Sequence, residues 1–131
     1  MAWSPRVGNI IRGLASVVAM LFGVATVLSG GRVLLGADPG YTVFRPLLVY
    51  NTAMGFAYVA AGFVLWRRPG VGRLAAGGIF VLNLLVLVAI VVIHRSGGAV
   101  AVDSLRAMSF RTVVWLAVFV AASVAGSPRE Q

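Results

Sequence analysis

The chain has 131 residues, 60% of them hydrophobic in type and 11% charged, with no cysteine and a mean hydropathy of +0.99. Four apolar spans of about 20 residues consume most of that length and leave too little for a separate water-soluble domain, while the missing thiols exclude iron–sulfur clusters, thiolate metal sites and disulfide chemistry. The net charge of +8 comes from eleven arginines and no lysine against Asp38, Asp103 and Glu130; because the arginines flank apolar runs, they are assigned to lipid headgroups and no nucleic-acid partner is expected.

Residues 13–30 read GLASVVAMLFGVATVLSG without a charge, behind Arg6 and Arg12. A signal peptide has a shorter apolar core and a small-residue cleavage site, whereas this run ends in Ser29, Gly30 and Gly31 and is assigned as a first transmembrane helix. Its Ser16, Ala19, Gly23, Thr26 and Gly30 recur at helical spacing, making one face of small side chains. Helices in lipid do not associate by expelling water, so close packing must supply the attraction and such a face marks a seam. The second span, 46–66, opens on Pro46, which suits a first helical turn, and closes on Arg67-Arg68-Pro69-Gly70. Ala53, Ala57 and Ala61 form a small-residue ridge on it, while Asn51, Gly55, Tyr58 and Gly62 form a second stripe that is small and polar. Two stripes imply two neighbours.

The third span, 74–93, follows after seven residues and is expected to pair with the second as a helical hairpin. Asn83 lies near its middle, and Leu87, Ile90 and His94 continue that face toward the far end. Antiparallel pairing puts Tyr58 at nearly the depth of Asn83 and predicts a hydrogen bond between them. Such bonds in membranes average about 0.6 kcal/mol, enough to select a register. The fourth span, 104–125, is interrupted near its start by Arg106 and Arg111, and Asp103 is assigned as its N-cap. The two arginines are about 140° apart on a helix and cannot share a face. Arg111, the deeper, has Trp115 one turn on. Its inward reading pairs it with Asp103, backbone carbonyls or an acidic ligand; its outward reading is a stem snorkelling beside an interfacial tryptophan.

Six arginines fall on the terminal side of this arrangement and five on the other. The densest basic cluster, Arg67 to Arg73, lies on the terminal side and both loop aspartates lie opposite, so both termini are expected in the cytoplasm, in a cell inner (plasma) membrane. The expected fold is all-α: an integral membrane four-helix antiparallel bundle, one transmembrane domain over residues 1–131. Asn51, Tyr58, Asn83, His94, Asp103, Arg106 and Arg111 are the candidates for contact with a ligand or partner. With a single histidine and no carboxylate in the apolar part of any span, no catalytic residue, metal site or cofactor is expected.

In length and span number the chain resembles the small multidrug-resistance exporters, but it lacks their central glutamate. Asn51 with Gly55 resembles the second helix of the fluoride-channel family, yet VLNLLVLVAIVVI in the third span is continuous helix where that family has a break. The segments DSLRAMSFRTVVW (103–115) and GFAYVAAGFVLWRR (55–68) look like those of a group of small four-span bacterial membrane proteins without an assigned activity, a resemblance that implies architecture alone. The functional expectation is a noncatalytic accessory, assembly or interaction subunit. Its partners are the bilayer with its anionic lipids and either copies of itself or a larger membrane complex. The alternative is a small channel, transporter or binding protein for an anionic or amphipathic solute.

Overall fold

The computed structural model describes residues 5–125, and all the regular structure among them is helical: α1 (Pro5–Leu34), α2 (Arg45–Arg67), α3 (Pro69–Arg95) and α4 (Val102–Ala125). Each of the four is long and apolar enough to cross a membrane. Arg129 and Glu130, which entered the charge count, lie outside the described residues.

The bounds of α2 match the expected span to within a residue, but the other helices overrun theirs. At 30 residues, α1 is about 45 Å long and exceeds a hydrocarbon core of about 30 Å. Arg12 and Arg32 mark the ends of its apolar segment without ending the helix, since arginine is a good helix former. The seven-residue connection expected between the second and third spans shrinks to Arg68, which is both the C-cap of α2 and the N-cap of α3. Pro69 explains this: it disfavours helical geometry in the residue before it, yet has the φ and the missing N–H that suit a first helical position. The fourth helix begins at Val102, so Asp103 lies inside the first turn rather than at the N-cap, and the amides of Ser104 and Leu105 donate to the Ala101 carbonyl.

Gly13 sits by Trp66 and Gly30 by Thr52 across α1 and α2; Gly72 abuts Leu65 across α2 and α3; Gly77 meets Phe119 across α3 and α4; Gly8 meets Ala125 across α1 and α4. The most extensive contact is between α1 and α2. A Cβ on Gly23 would stand 2.7 Å from the Gly55 carbonyl oxygen, and one on Gly55 3.1 Å from that of Gly23, so the two backbones touch and neither position has room for a side chain.

The radial distribution of side chains is the reverse of a soluble bundle. The buried residues of α1 are Gly8, Ala15, Ser16, Ala19, Gly23 and Thr26, whereas Leu14, Leu21 and Leu28 are each more than 60% exposed. The small face expected on this helix does face inward. On α2, Gly55, Tyr58, Ala61 and Gly62 are buried and Ala57 is partly so, but Ala53 is exposed and takes no part in the ridge assigned to it. The reason is angular: Ala53 lies about 200° from Gly55, and seating Gly55 on α1 turns Ala53 outward. The core divides into a cluster around Tyr58, Leu65, Ile79, Trp115 and Val118, and a second at the other end formed by Leu47, Ile90, Val100 and Met108.

Candidate functional site

Asn83 is completely buried between α2 and α3. Its Nδ2 donates to Tyr58 Oη at 3.0 Å, the contact expected from the register, and the Tyr58 hydroxyl also approaches its Oδ1 at 3.4 Å. Tyr50 Oη donates to the same Oδ1 at 2.7 Å. Tyr50 and Tyr58 are eight residues apart, about 12 Å along the helix, and their side chains converge on one amide. Sequence reasoning did not assign Tyr50 this role; its signal was a second tyrosine in the N-terminal half of the helix that carries Tyr58. The polar groups of Asn83 are thus satisfied within the protein, which suits a structural clasp rather than a ligand site.

The middle of the bundle is plugged by rings. Tyr58 packs on Trp115 with ring centroids 4.9 Å apart and on Phe22 at 5.6 Å, and Phe22 in turn meets Phe110 at 5.9 Å. Trp115 and Tyr58 are the two largest fully buried side chains. Together with Asn83 they fill the middle of the protein.

Arg111 reaches across this plug. It faces inward: Nη1 donates to Thr26 Oγ1 at 3.0 Å, and the guanidinium carbon lies 5.7 Å from the centroid of Phe22. A cation over an aromatic face gains about 0.5–2 kcal/mol, more as water is excluded. Arg106 is exposed, as the angular separation of the pair requires, and so is Asp103, which does not pair with Arg111. Thr26, assigned only to packing from the sequence, is therefore also the acceptor for the inward arginine. Its signal was a second hydroxyl, after Ser16, on the small face of α1.

A cavity of about 70 Å³ opens beside Arg111. It is bounded by Thr26, Ser29 and Gly30 of α1, by Asn51 of α2, and by Ser104 and Arg111 of α4, with Tyr41 and Phe44 from the α1–α2 connection. The connection is folded back by Gly36 and Gly40, whose φ of +113° and +87° favour glycine, and by Asp38, whose Oδ1 accepts from the Gly40 amide at 2.8 Å. Asn51 Oδ1 and Arg111 Nε are both buried without a hydrogen-bond partner. The corresponding outer space between α2 and α3 is filled by Leu47, Ile90, Val100 and Met108. His94 closes that side: its Nδ1 lies 2.7 Å from the Val100 carbonyl, which can only accept, so the ring donates and holds the α3–α4 connection.

Four larger recesses, from about 330 to 710 Å³, are shallow outer grooves lined almost wholly by apolar side chains, such as the one between Leu14 and Val18 of α1 and Val114 and Ala121 of α4. No group of three or more histidine, cysteine or acidic side chains that could hold a metal ion occurs among the described residues. Fold and site together define, among the described residues, a four-helix arrangement with membrane-length apolar helices, an aromatic plug and a polar cavity near a helix end. No protein-family model matches the chain, and no match to it is found among curated proteins or solved structures.

Proposed function

We propose that this is an integral membrane four-helix antiparallel bundle of a cell inner membrane, with both termini cytoplasmic, that works without catalysis as an accessory or assembly subunit through contacts with other helices and anionic lipid. Its membrane placement is supported by the outward display of large apolar side chains on all four helices, including Phe56 at 64% and Leu74 at 69% exposure. In water such a surface would far exceed the apolar patches that soluble monomers tolerate, whereas in lipid it is the expected solvent-facing shell.

The observation that carries the functional reading is the filled middle. Asn83 spends its hydrogen bonds on two tyrosines, and Phe22, Tyr58 and Trp115 stack across the bundle, so a polar solute entering at Arg111 meets rings and methyl groups below it. A channel or carrier for an anionic solute has the cavity beside Arg111 in its favour and the aromatic plug against it. The apolar outer grooves suit acyl chains or a partner's helix.

Reconstitution in vesicles provides the test. Crosslinking and mass measurement in mild detergent should reveal copies of this chain, another membrane protein or retained lipid, and vesicles bearing the protein should be no more permeable to small anions than empty ones. A bare monomer that carries neither lipid nor protein, or an anion flux abolished by Arg111→Ala, would refute the proposal.

A further inference from the structure

We propose that the cavity beside Arg111 binds a hydroxyl-bearing oxyanion, either hydrogen phosphate or the phosphodiester of a lipid headgroup whose alcohol keeps free hydroxyls. The lipid form of this inference rests on the interaction reading above; the site itself does not.

The donor and acceptor inventory specifies the ligand. Thr26 takes Arg111 Nη1, and Nε is buried without a partner. The side of a guanidinium that carries Nε and Nη2 is the fork that binds two oxygens of one oxyanion, and the bond to Thr26 uses neither of those nitrogens. The positive charge has the neutral hydroxyls of Thr26 and Tyr58 and the Phe22 ring as neighbours; Asp38 and Asp103 are exposed, and Asp38 is turned to the Gly40 amide. A guanidinium held among helices in this way is stabilised most by a group that brings negative charge to it.

Asn51 adds the second requirement. Its buried Oδ1 is an acceptor with no donor, and a bare oxyanion would only repel it. A ligand that presents oxygens to Arg111 and an O–H to Asn51 satisfies both orphaned atoms at once. The hydroxyls of Ser29 and Ser104 on the same cavity wall can donate or accept as the ligand needs. At about 70 Å³ the space suits a single compact group and is too small for a large solute. Access is consistent with this. Arg111 itself contacts Thr26 and Phe22 within the bundle, and the cavity it lines extends to Tyr41, Val43 and Phe44 of the α1–α2 connection at the bundle end.

Two pairs of probes separate the sources and isolate the hydroxyl requirement. Native mass spectrometry of the full chain from micelles doped with phosphatidylglycerol or with phosphatidylmethanol compares headgroups of equal charge with and without hydroxyls. Titration with inorganic phosphate or with sulfate, followed by tryptophan fluorescence, does the same for free anions. The expected result is one saturable site that prefers the hydroxyl-bearing member of at least one pair by tenfold or more. Arg111→Gln should lower that affinity at least tenfold, Asn51→Leu should abolish the preference within the pair, and the exposed Arg95→Gln should leave both unchanged. Preference for phosphatidylglycerol alone assigns the site to lipid, and preference for phosphate alone assigns it to a free anion. Equal binding within both pairs, or equal losses from Arg95→Gln and Arg111→Gln, overturns the proposal. Should Arg111→Gln fail to fold, the Asn51→Leu comparison decides. Anion flux through proteoliposomes would sink the interaction reading and leave this site standing, whereas absence of Arg111-dependent binding removes the site and leaves that reading intact.

Discussion

Replacing Asn83 by leucine isolates the polar clasp between α2 and α3, because the two side chains are close in volume and little cavity is created. Two strong contacts are lost, from Tyr50 Oη at 2.7 Å and to Tyr58 Oη at 3.0 Å, and both tyrosine hydroxyls lose their partner. Interhelical hydrogen bonds in membranes are worth about 0.6 kcal/mol on average and up to about 1.7, so Asn83→Leu should cost about 1–3 kcal/mol. Tyr50→Phe should cost about 0.5–1.5 kcal/mol and, combined with Asn83→Leu, should add almost nothing, since the bond it removes is already gone. The triple variant with both tyrosines changed to phenylalanine should recover to within about 1 kcal/mol of the native protein, because matched apolar groups then replace a fully satisfied polar set. Tyr58→Phe preserves the ring contacts to Trp115 and Phe22 while also taking the Tyr58 hydroxyl away from Arg111. Reversible unfolding in mixed micelles, followed by tryptophan fluorescence, measures each corner of the cycle. Costs of Asn83→Leu and Tyr50→Phe that simply add, to within about 0.3 kcal/mol, would refute the clasp.

The glycine contact between α1 and α2 predicts that Gly55→Val destabilises the protein by at least about 2 kcal/mol, since its Cβ would meet the Val27 amide nitrogen at 3.0 Å and the Gly23 carbonyl at 3.1 Å. Gly31→Val, with nothing within 4 Å of the new Cβ, should change the same unfolding midpoint little. Trp115→Ala should cost about 3–5 kcal/mol by opening a cavity in the plug, but Trp115→Phe far less, because the indole Nε1 has no hydrogen-bond partner to lose. Equal costs for the two would contradict the packing role of that ring. For His94→Phe, hydrogen exchange should quicken at least tenfold at the amides of residues 97–101 and stay unchanged within α3, the signature of a side chain that ties down a connection through the Val100 carbonyl.

The four helices, the limits of α2, the inward small face of α1 and the Tyr58–Asn83 pair were legible in the sequence because each is local or nearly so. Apolar length requires helices that satisfy their own backbone, Pro46 marks the start of α2, and a short connection dictates the register of the next helix. Rotation of each helix about its axis was not legible in the same way. With large apolar residues distributed around the circumference, hydropathy does not say which side faces in, and only small and polar side chains hint at it. Tertiary packing therefore decided that Arg111 turns inward and Arg106 outward, that Ala53 leaves the seam, and that Tyr50 joins Tyr58 on one amide. It also placed the polar cavity among α1, α2 and α4, because the glycine contact of α1 with α2 sets the interhelical distance, and that distance decides which side chains can span the bundle.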